Sequence, residues 1–440
     1  MKNIKKSPID KTGDLLEPEF SFKRQGILLV CMYLGYAGFL LLKTSVIMIG
    51  PALLSDPILH LSKTNWGAIL GCGTIGGILG KFLSGWSSDR IGGKKVFTIG
   101  LLLTTIGVCS FSFQISFVAF AVMYFIIIFA NASGWPSMAK LIGNWFSPNQ
   151  YGRVWGLIST SSRAGTITAT LSVGGLLQFL NWQQVLWVTS GVGIFLVLLA
   201  WFFIKEYPTS TVKSNSSTLI LDDPYKNHPF FQIRLLEAFY RFLKNKRFLL
   251  ISGSMMGLTI LWDFLNFVPI YLNESLHLSS ADAALATSSF PIGSLVSVLV
   301  GGFLFDKLPR KKITRVIGIY LGIAVLSLMN MMVLPQIGGT PQFNIITTLI
   351  SLFIFGFTVS PAYYLPMSIF SIEFGGPHSG FLIALLDAVG FAASVAFSFA
   401  GGHLASQTGG WNSFLSLLIC IAIFSWVITV WFLNGEANLK

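Results

Sequence analysis

Long apolar segments alternate with short polar connections along the whole chain. A helix needs about 20 apolar residues to cross a hydrocarbon core of about 30 Å, since each residue adds about 1.5 Å. We number the segments that come near this length span 1 to span 12: 26–54, 65–86, 96–114, 117–143, 154–177, 183–204, 247–273, 281–305, 314–334, 343–368, 379–402 and 411–434. The pattern predicts an all-α membrane protein with twelve transmembrane helices.

The polar connections alternate in charge. Lysine and arginine are concentrated in residues 1–25, 87–95, 205–247 and 306–315, which fall at every second connection. Cytoplasmic connections retain an excess of these residues. The distribution therefore predicts that both termini are cytoplasmic and that the protein lies in the inner membrane of the cell.

Composition supports a membrane protein and excludes other classes. The chain is 53% hydrophobic and 10% charged, with a mean hydropathy of +0.72. Its net charge of +12 follows from the topology, so no nucleic-acid partner is predicted. The four cysteines lie in apolar segments without paired spacing, and the histidines are isolated. Neither a metal site nor a cofactor nor enzyme activity is predicted.

A polar motif in residues 85–95 recurs in residues 302–312. Both copies read Gly-x-x-x-Asp-basic, and the aspartates stand 217 positions apart in a chain of 440 residues. The repeat predicts two six-helix halves, and duplicated halves of this kind hold a site between them near the midplane of the membrane in secondary transporters. The predicted boundaries are a cytoplasmic tail at 1–25, halves at 26–204 and 247–434, a cytoplasmic linker at 205–246 and a second tail at 435–440.

The linker contains one segment of mixed aromatic and basic character. Residues 229–244 include four phenylalanines and a tyrosine alternating with arginine and lysine. Such a composition is typical of a helix that lies on a membrane surface. We expect a helix of this kind on the inner surface of the membrane.

The repeated motif resembles that of the major facilitator superfamily, which carries Gly-x-x-x-Asp-Arg-x-Gly-Arg-Lys between spans 2 and 3. The resemblance implies transport by alternating access. Asp89 is placed to accept from backbone amides at a neighbouring helix N-terminus, and Arg90 to bridge to a carboxylate. The predicted conformational latch consists of Gly85, Asp89, Arg90, Asp306, Lys307 and Arg310. The alternative is an ordinary positively charged cytoplasmic connection.

A narrower resemblance lies in spans 4 and 5. The motifs that carry it are Gly134-Trp135-Pro136, Asn144-Trp145-Phe146 and Ser159-Thr160-Ser161. They are similar to the organophosphate antiporter family, especially its sugar-phosphate exchanger branch. This resemblance implies that Lys43 takes the place of a phosphate-binding arginine in span 1 and that Lys81 matches a lysine in span 2. Asp263 stands near the position in span 7 where the family usually has a cation.

Ionisable residues inside the spans are the strongest candidates for a site. Each costs at least a few kcal/mol in the bilayer, so such residues usually face a cavity and act there. Lys43 and Arg163 lie in the first half, whereas Asp263 and Asp387 lie in the second. Lys81 is a further candidate, with snorkelling to the surface as its alternative. Trp262, beside Asp263, is predicted to line the same cavity.

This polarity has two interpretations. In the first, a small organic zwitterion or anion binds its carboxylate or phosphate to Lys43 and Arg163, and an ammonium group to Asp263 or Asp387. In the second, Arg163 pairs with Asp387 and Lys43 with Asp263 as salt bridges between the halves. Either aspartate could carry a coupling proton.

The predicted function is secondary active transport of a small polar organic solute by a monomer in the lipid bilayer. The solute would be amino acid-like or organophosphate-like. Two alternatives remain: an organophosphate/phosphate antiporter proper, and a transporter-like membrane sensor that binds such a solute without moving it.

Overall fold

The computed structural model describes residues 22–147, 150–208, 229–230, 233–305, 308–337, 339–407 and 409–438. All regular elements in these ranges are helices. The helices up to span 6 are α1 Phe22–Met48, α2 Gly50–Leu54, α3 Lys63–Ile91, α4 Gly93–Phe111, α5 Phe117–Asn131, α6 Gly134–Trp145, α7 Tyr151–Leu176 and α8 Trp182–Phe203. Spans 1 and 4 each consist of two helices.

The remaining helices follow the linker. They are α9 Leu235–Leu243, α10 Lys246–Asp263, α11 Val268–Ser275, α12 Ser280–Thr287, α13 Ser289–Phe305, α14 Arg310–Ile337, α15 Pro341–Gly375, α16 Ser379–Ser406 and α17 Gly410–Ala437. Spans 7 and 8 are again divided, and α9 is an additional short helix. We call the end of the bundle that carries residues 92, 205–208 and 308–312 the basic face, and the other end the opposite face.

Eleven helical stretches of the described chain are long and apolar enough to cross a membrane. The twelfth span is α7, which has 26 residues but is rich in serine, threonine and glycine. Its hydroxyls donate back to carbonyls of the same helix, for example Ser161 to Ile158 and Thr166 to Ser162. These bonds satisfy the hydroxyls inside the membrane. In addition, α7 packs against α1, α12 and α13, which cover much of its surface. The predicted count of twelve spans is confirmed.

The duplication extends to individual hydrogen bonds. Trp182 begins span 6 and donates its indole N–H to Asp56 Oδ2 at 3.0 Å. Trp411, at the start of span 12, donates to Glu274 Oε2 at 2.8 Å. Asp56 follows span 1 and Glu274 ends span 7, so the two pairs occupy equivalent places in the two sets of six spans. In each pair an indole N–H at the start of the last span donates to a carboxylate on the opposite face.

Spans 1 and 7 are both interrupted on the way to the opposite face. In span 1, α1 gives way to α2, which has Pro51 in its first turn. In span 7, α10 ends at Asp263, a 3-10 turn covers Phe264–Asn266, and α11 follows with Pro269 in its first turn. Proline lacks an N–H and is tolerated at such a helix start. The interruption of span 7 places Asp263 at a helix end.

Helix α9 packs on protein. Ala238 and Phe242 are buried against Phe370 of α15 and against Leu382 and Leu386 of α16. The sequence pattern predicted a helix on the membrane surface. The amphipathic character is present, but its apolar side is covered by the basic ends of spans 10 and 11.

Close contact between the two sets of six spans is concentrated on the opposite face. There α3 and α16 approach so closely that a methyl group added at Gly67 would stand 2.3 Å from the carbonyl oxygen of Ser398 and 2.8 Å from Gly402 Cα. Only glycine allows backbones to pack at this separation. A similar contact joins Gly174 of α7 to Ala281 and Leu285 of α12.

Candidate functional site

Two adjoining cavities lie between spans 1 and 7, with volumes of about 180 and 220 Å³. The residues that line both are Tyr36, Leu40, Lys43, Asp263 and Asn266. We call the pair the central cavity. It is enclosed by helices of both sets of six spans and is lined by four of the ionisable residues predicted from the sequence, Lys43, Lys81, Arg163 and Asp263.

Lys43 is contributed by α1, in the half of span 1 nearer the opposite face. Its side chain is half-buried and lines both parts of the central cavity. Among the described residues, it forms no ion pair within 4.0 Å, and Asp263 of the same cavity lies beyond that distance. The predicted pair of Lys43 with Asp263 is therefore not formed in this conformation.

Arg163 projects from the middle of α7 into the central cavity. One guanidinium nitrogen donates to the carbonyl of Ser159 at 3.1 Å and to Ser162 Oγ at 3.0 Å. The Nε atom is buried and has no hydrogen-bond partner in the described part of the chain. The guanidinium lies 5.4 Å from the ring centre of Trp262. The neutral acceptors and the aromatic ring satisfy only part of the hydrogen-bonding capacity of this guanidinium and do not balance its charge.

Asp263 ends α10 and faces the same space. Its carboxylate accepts a short hydrogen bond from Ser394 Oγ of α16 and another from the side chain of Asn266. Both donors are neutral, so the Asp263 carboxylate is hydrogen-bonded but has no cation within ion-pair distance among the described residues. The central cavity thus contains two cations and one carboxylate that are near one another but not paired.

Trp262 shapes one wall of the central cavity. Its ring stacks on Tyr363 at 5.7 Å with an interplanar angle of 19° and meets Phe290 edge-on at 5.6 Å. The neighbouring helix α7 presents Arg163 to the same indole. Trp262 therefore lines the cavity, as predicted, and also fixes the guanidinium by a cation–π contact.

Lys81 and Asp387 form an ion pair between span 2 and span 11. Lys81 Nζ lies 2.8 Å from Asp387 Oδ2, and the side chains are 36% and 20% exposed. The ammonium also lies 4.2 Å from the ring centre of Phe391. Lys81 does not snorkel to the surface, and Asp387 is paired with Lys81 instead of Arg163. The sequence analysis named both charges as candidates, but this pairing was not among its alternatives.

The Lys81–Asp387 pair stands at the boundary of a second space. This vestibule of about 390 Å³ extends toward the basic face and is lined by Gly85, Pro136 and Gly380 as well as by the pair. Lys81, Trp135 and Phe391 line both the vestibule and the central cavity. The path from the basic face to the centre therefore passes the ammonium of Lys81.

The predicted latch residues contact partners within their own set of six spans. Asp89 Oδ1 accepts from Lys140 Nζ at 3.0 Å, and Arg90 lies over the ring of Trp86 at 4.0 Å. Arg310 pairs with Glu373. Gly85 lines the vestibule. Asp306 and Lys307 lie outside the described residues, so the latch stays a prediction.

A carboxylate that the sequence analysis did not single out occupies the N-terminus of α4. Glu206, just after span 6, accepts from the backbone N–H groups of Gly93 at 2.9 Å and Lys94 at 2.7 Å. Asn144 of α6 donates to the same carboxylate. A carboxylate at a helix N-terminus is favoured by the helix dipole. Glu206 ties spans 3, 4 and 6 together on the basic face.

A second missed cluster closes the opposite face. Lys63 Nζ of α3 lies 2.7 Å from Glu274 Oε2 of α11, and the same oxygen accepts from Trp411. Nearby, Thr64 donates to Ser406 Oγ at 3.0 Å. These contacts join the two sets of spans on the opposite face, whereas the vestibule separates them near the basic face. The sequence signal for this cluster was Lys63, the lone lysine in the connection between spans 1 and 2.

Two matching sets of six spans around a charged cavity define a helical membrane protein of the secondary-transporter class. The model of the Major Facilitator Superfamily matches residues 27–372 and 264–439. The chain belongs to this superfamily.

Similar proteins fall in the organophosphate antiporter branch, which confirms the narrower resemblance. A probable hexose phosphate transport protein of Chlamydia trachomatis is 24% identical over 94% of this chain and 92% of its own length. The membrane sensor protein UhpC of Escherichia coli is 24% identical over 96% of this chain and 94% of its own. A hexuronate transporter of Bacillus subtilis is 25% identical over 64% of this chain and 65% of its own.

Solved structures agree on the fold. A bacterial homolog of the human lysosomal transporter Spinster, inward-facing and unoccupied, superposes with a TM-score of 0.69 at 14% identity, over 95% of this chain and 98% of that one. A D-xylose–proton symporter gives a TM-score of 0.68 at 15% identity, over 92% and 97%.

Proposed function

We propose that this protein is a secondary active transporter of a small organic anion that carries one carboxylate or phosphate group. The observation that carries the proposal is the pair of cations in the central cavity. Within the described part of the chain, Lys43 and Arg163 have no carboxylate partner at ion-pair distance, and the buried Nε of Arg163 has no hydrogen-bond partner. A buried cation is costly unless it is paired. An anion bound between the two would supply that partner.

The net charge of the lining groups agrees with this choice. Lys43, Lys81 and Arg163 carry three positive charges, while Asp263 and Asp387 carry two negative ones. A monoanion would neutralise the remainder. The named solutes of the similar proteins, hexose phosphates and hexuronates, are also anions.

A zwitterion is the second candidate because Asp263 faces the same cavity. An amino acid would place its carboxylate on the cations and its ammonium on Asp263. The carboxylate of Asp263 already accepts hydrogen bonds from Ser394 and Asn266. Lys43 and Arg163, by contrast, have no carboxylate within ion-pair distance among the described residues, so we rank the anion first.

We propose alternating access as the mechanism, with this conformation open toward the basic face. The vestibule leads from that face to Lys81, and the contacts of Lys63 and Gly67 close the other end. By the charge rule for cytoplasmic connections, we place the basic face and both termini in the cytoplasm, in the inner membrane. We further propose a monomeric transporter coupled to protons.

Uptake into proteoliposomes tests the proposal. Purified protein would be offered labelled D-glucuronate, D-glucose 6-phosphate, glycerol 3-phosphate, an amino acid mixture and neutral D-glucose. We expect saturable uptake of at least one anion and none of D-glucose. Uptake that requires phosphate inside the vesicles would indicate an organophosphate/phosphate antiporter.

Two outcomes would contradict transport of an anion. Binding of an anion, seen as a raised melting temperature, without accumulation in vesicles would indicate a sensor. Uptake of amino acids alone would replace the anion by the zwitterion.

A further inference from the structure

We propose that Asp387 is the coupling-proton site and that the transported anion loads it by taking Lys81 away. The inference rests on the proposed anion transport. It identifies the carboxylate of Asp387 as the site that binds the proton. It also identifies the Lys81–Asp387 ion pair as the contact that couples proton binding to anion binding.

Coupling requires that binding of the anion change the free energy of binding the proton. A shared partner does this directly. Lys81 is bonded to Asp387 and lines both the vestibule and the central cavity, so an anion that passes competes with Asp387 for the same ammonium. Of the ion pairs among the described residues, this is the one whose members line these two spaces.

Removal of Lys81 leaves Asp387 in a poor environment for a negative charge. The carboxylate is 20% exposed, and the vestibule around it is lined mainly by apolar side chains such as Ile383 and Phe391. An uncompensated carboxylate in such surroundings is costly, and binding a proton removes the cost. The vestibule connects the site to the basic face, from which the proton arrives.

The other charged and titratable groups near Asp387 do not replace Lys81. Tyr36 of α1 and Tyr363 of α15 interact with it electrostatically, but both are neutral. Asp263 of α10 is held by Ser394.

Asp263 is the less suitable proton site for the same reason. Its hydrogen-bond donors, Ser394 and Asn266, are neutral residues of the second set of spans, and no cation of the described chain lies within ion-pair distance. Arrival of an anion at Lys43 or Arg163 therefore breaks no salt bridge of Asp263. Anion binding and protonation are linked at Asp387 more directly than at Asp263.

The step balances. The Lys81–Asp387 salt bridge opens, the ammonium pairs with the incoming anion, and Asp387 gains one O–H bond from one proton. One monoanion and one proton are then carried together, so transport of D-glucuronate is expected to be electroneutral. Release on the other side returns Lys81 to Asp387 and expels the proton.

Infrared spectroscopy tests the switch without any substrate. In Lys81→Gln the carboxylate has lost its partner, and we expect a C=O stretching band of a protonated carboxylic acid at neutral pH that is absent from the wild type. The band should vanish in Lys81→Gln/Asp387→Asn. Lys140→Gln is the matched control, because its partner Asp89 is 73% exposed and its carboxylate is solvated by water when Lys140 is removed. Absence of the band from a folded Lys81→Gln protein would overturn the proposal.

Transport provides the second measurement. With D-glucuronate and D-glucose 6-phosphate as test solutes, we expect Asp387→Asn to lose at least tenfold in accumulation driven by a pH gradient while keeping exchange across the membrane. Undiminished accumulation in this variant would overturn the role of Asp387 and leave anion transport intact. If the wild type moves neither solute, the proposed function fails and the infrared band alone decides the switch. If Lys81→Gln does not fold, the same band can be followed in a pH titration, as the difference between the infrared spectra of the wild type and of Asp387→Asn.

Discussion

Arg163 shows how a single residue indicates function in this protein. It lies near the middle of a span, its Nε atom is buried without a hydrogen-bond partner among the described residues, and its hydrogen bonds go to neutral oxygens of its own helix. The hydroxyl-rich sequence of α7 supplies those oxygens and makes the buried cation tolerable. No carboxylate in the described part of the chain lies within ion-pair distance of Arg163, and this supports the proposed anion as its ligand.

Replacement of Arg163 by glutamine is expected to weaken binding of a transported anion about 10- to 100-fold, because a hydrogen bond to a charged group contributes about 1.5–3 kcal/mol. The measurement is the anion concentration that gives half-maximal stabilisation or uptake. Arg153→Gln is the control, since Arg153 is on the same helix but exposed at the basic end. Equal affinity of both variants and the wild type would show that Arg163 does not touch the anion.

At the scale of elements, the packing of α3 on α16 determines which face is closed. Gly67 and Gly402 are in direct contact, and Gly71 faces Phe399. Both helices are continuous from this contact to the Lys81–Asp387 pair. If α3 and α16 separate on the opposite face, each helix is therefore expected to move as one rigid body. One helix pair therefore carries both the closure of the opposite face and the ion pair beside the vestibule.

Gly67→Ala should force α3 and α16 apart on the opposite face, since the new methyl would meet backbone atoms of Ser398 and Gly402. The measurement is the rate of cross-linking between cysteines placed at Thr64 and Ser406, whose hydroxyls are 3.0 Å apart, with the four native cysteines replaced by serine. We expect the rate to fall severalfold. Gly175→Ala is the matched control, because nothing lies within 4 Å of its added methyl. Equal rates in the two variants would contradict the packing argument.

At the scale of the whole molecule, the closed face is held by packing assisted by charge. The side chains of Lys63 and Glu274 in this ion pair are partly exposed, at 23% and 37%. Ion pairs of that kind contribute about 0.2–1 kcal/mol to stability. The backbones of α3 and α16, by contrast, are in direct contact at Gly67 and Gly402. The ion pair therefore tunes the balance between two conformations and does not fix it.

Glu274→Gln is accordingly expected to raise the population open to the opposite face by no more than about fivefold. Distances between spin labels at Ile58 and His277, on connections of the two sets of spans, would report this shift. Glu436→Gln serves as control, since Glu436 pairs with Arg247 inside the second set. It should lower the melting temperature and leave the label distances unchanged. A large shift in the control, or none in Glu274→Gln, would contradict this assignment.

The sequence predicted much of the fold because spanning a membrane imposes strict demands on composition. Length and hydropathy defined the spans, and the repeat of Asp89 at Asp306 indicated the doubling. Span 5, the polar α7, was included among the twelve segments. Glu206 was missed because a glutamate directly after a span reads as an ordinary interfacial residue, and nothing local reveals that the start of α4 lies beside it.

The sequence by itself determined which charges are buried, because the cost of an ionisable group within a span depends on its depth, and depth follows from position along a helix. The tertiary structure alone decided their partners. Whether Asp387 meets Arg163 or Lys81 depends on how far each helix is rotated about its axis and how closely spans 2 and 11 approach. Those quantities are set by contacts such as Gly67 with Gly402, between residues more than 300 positions apart, which no local pattern in the chain encodes.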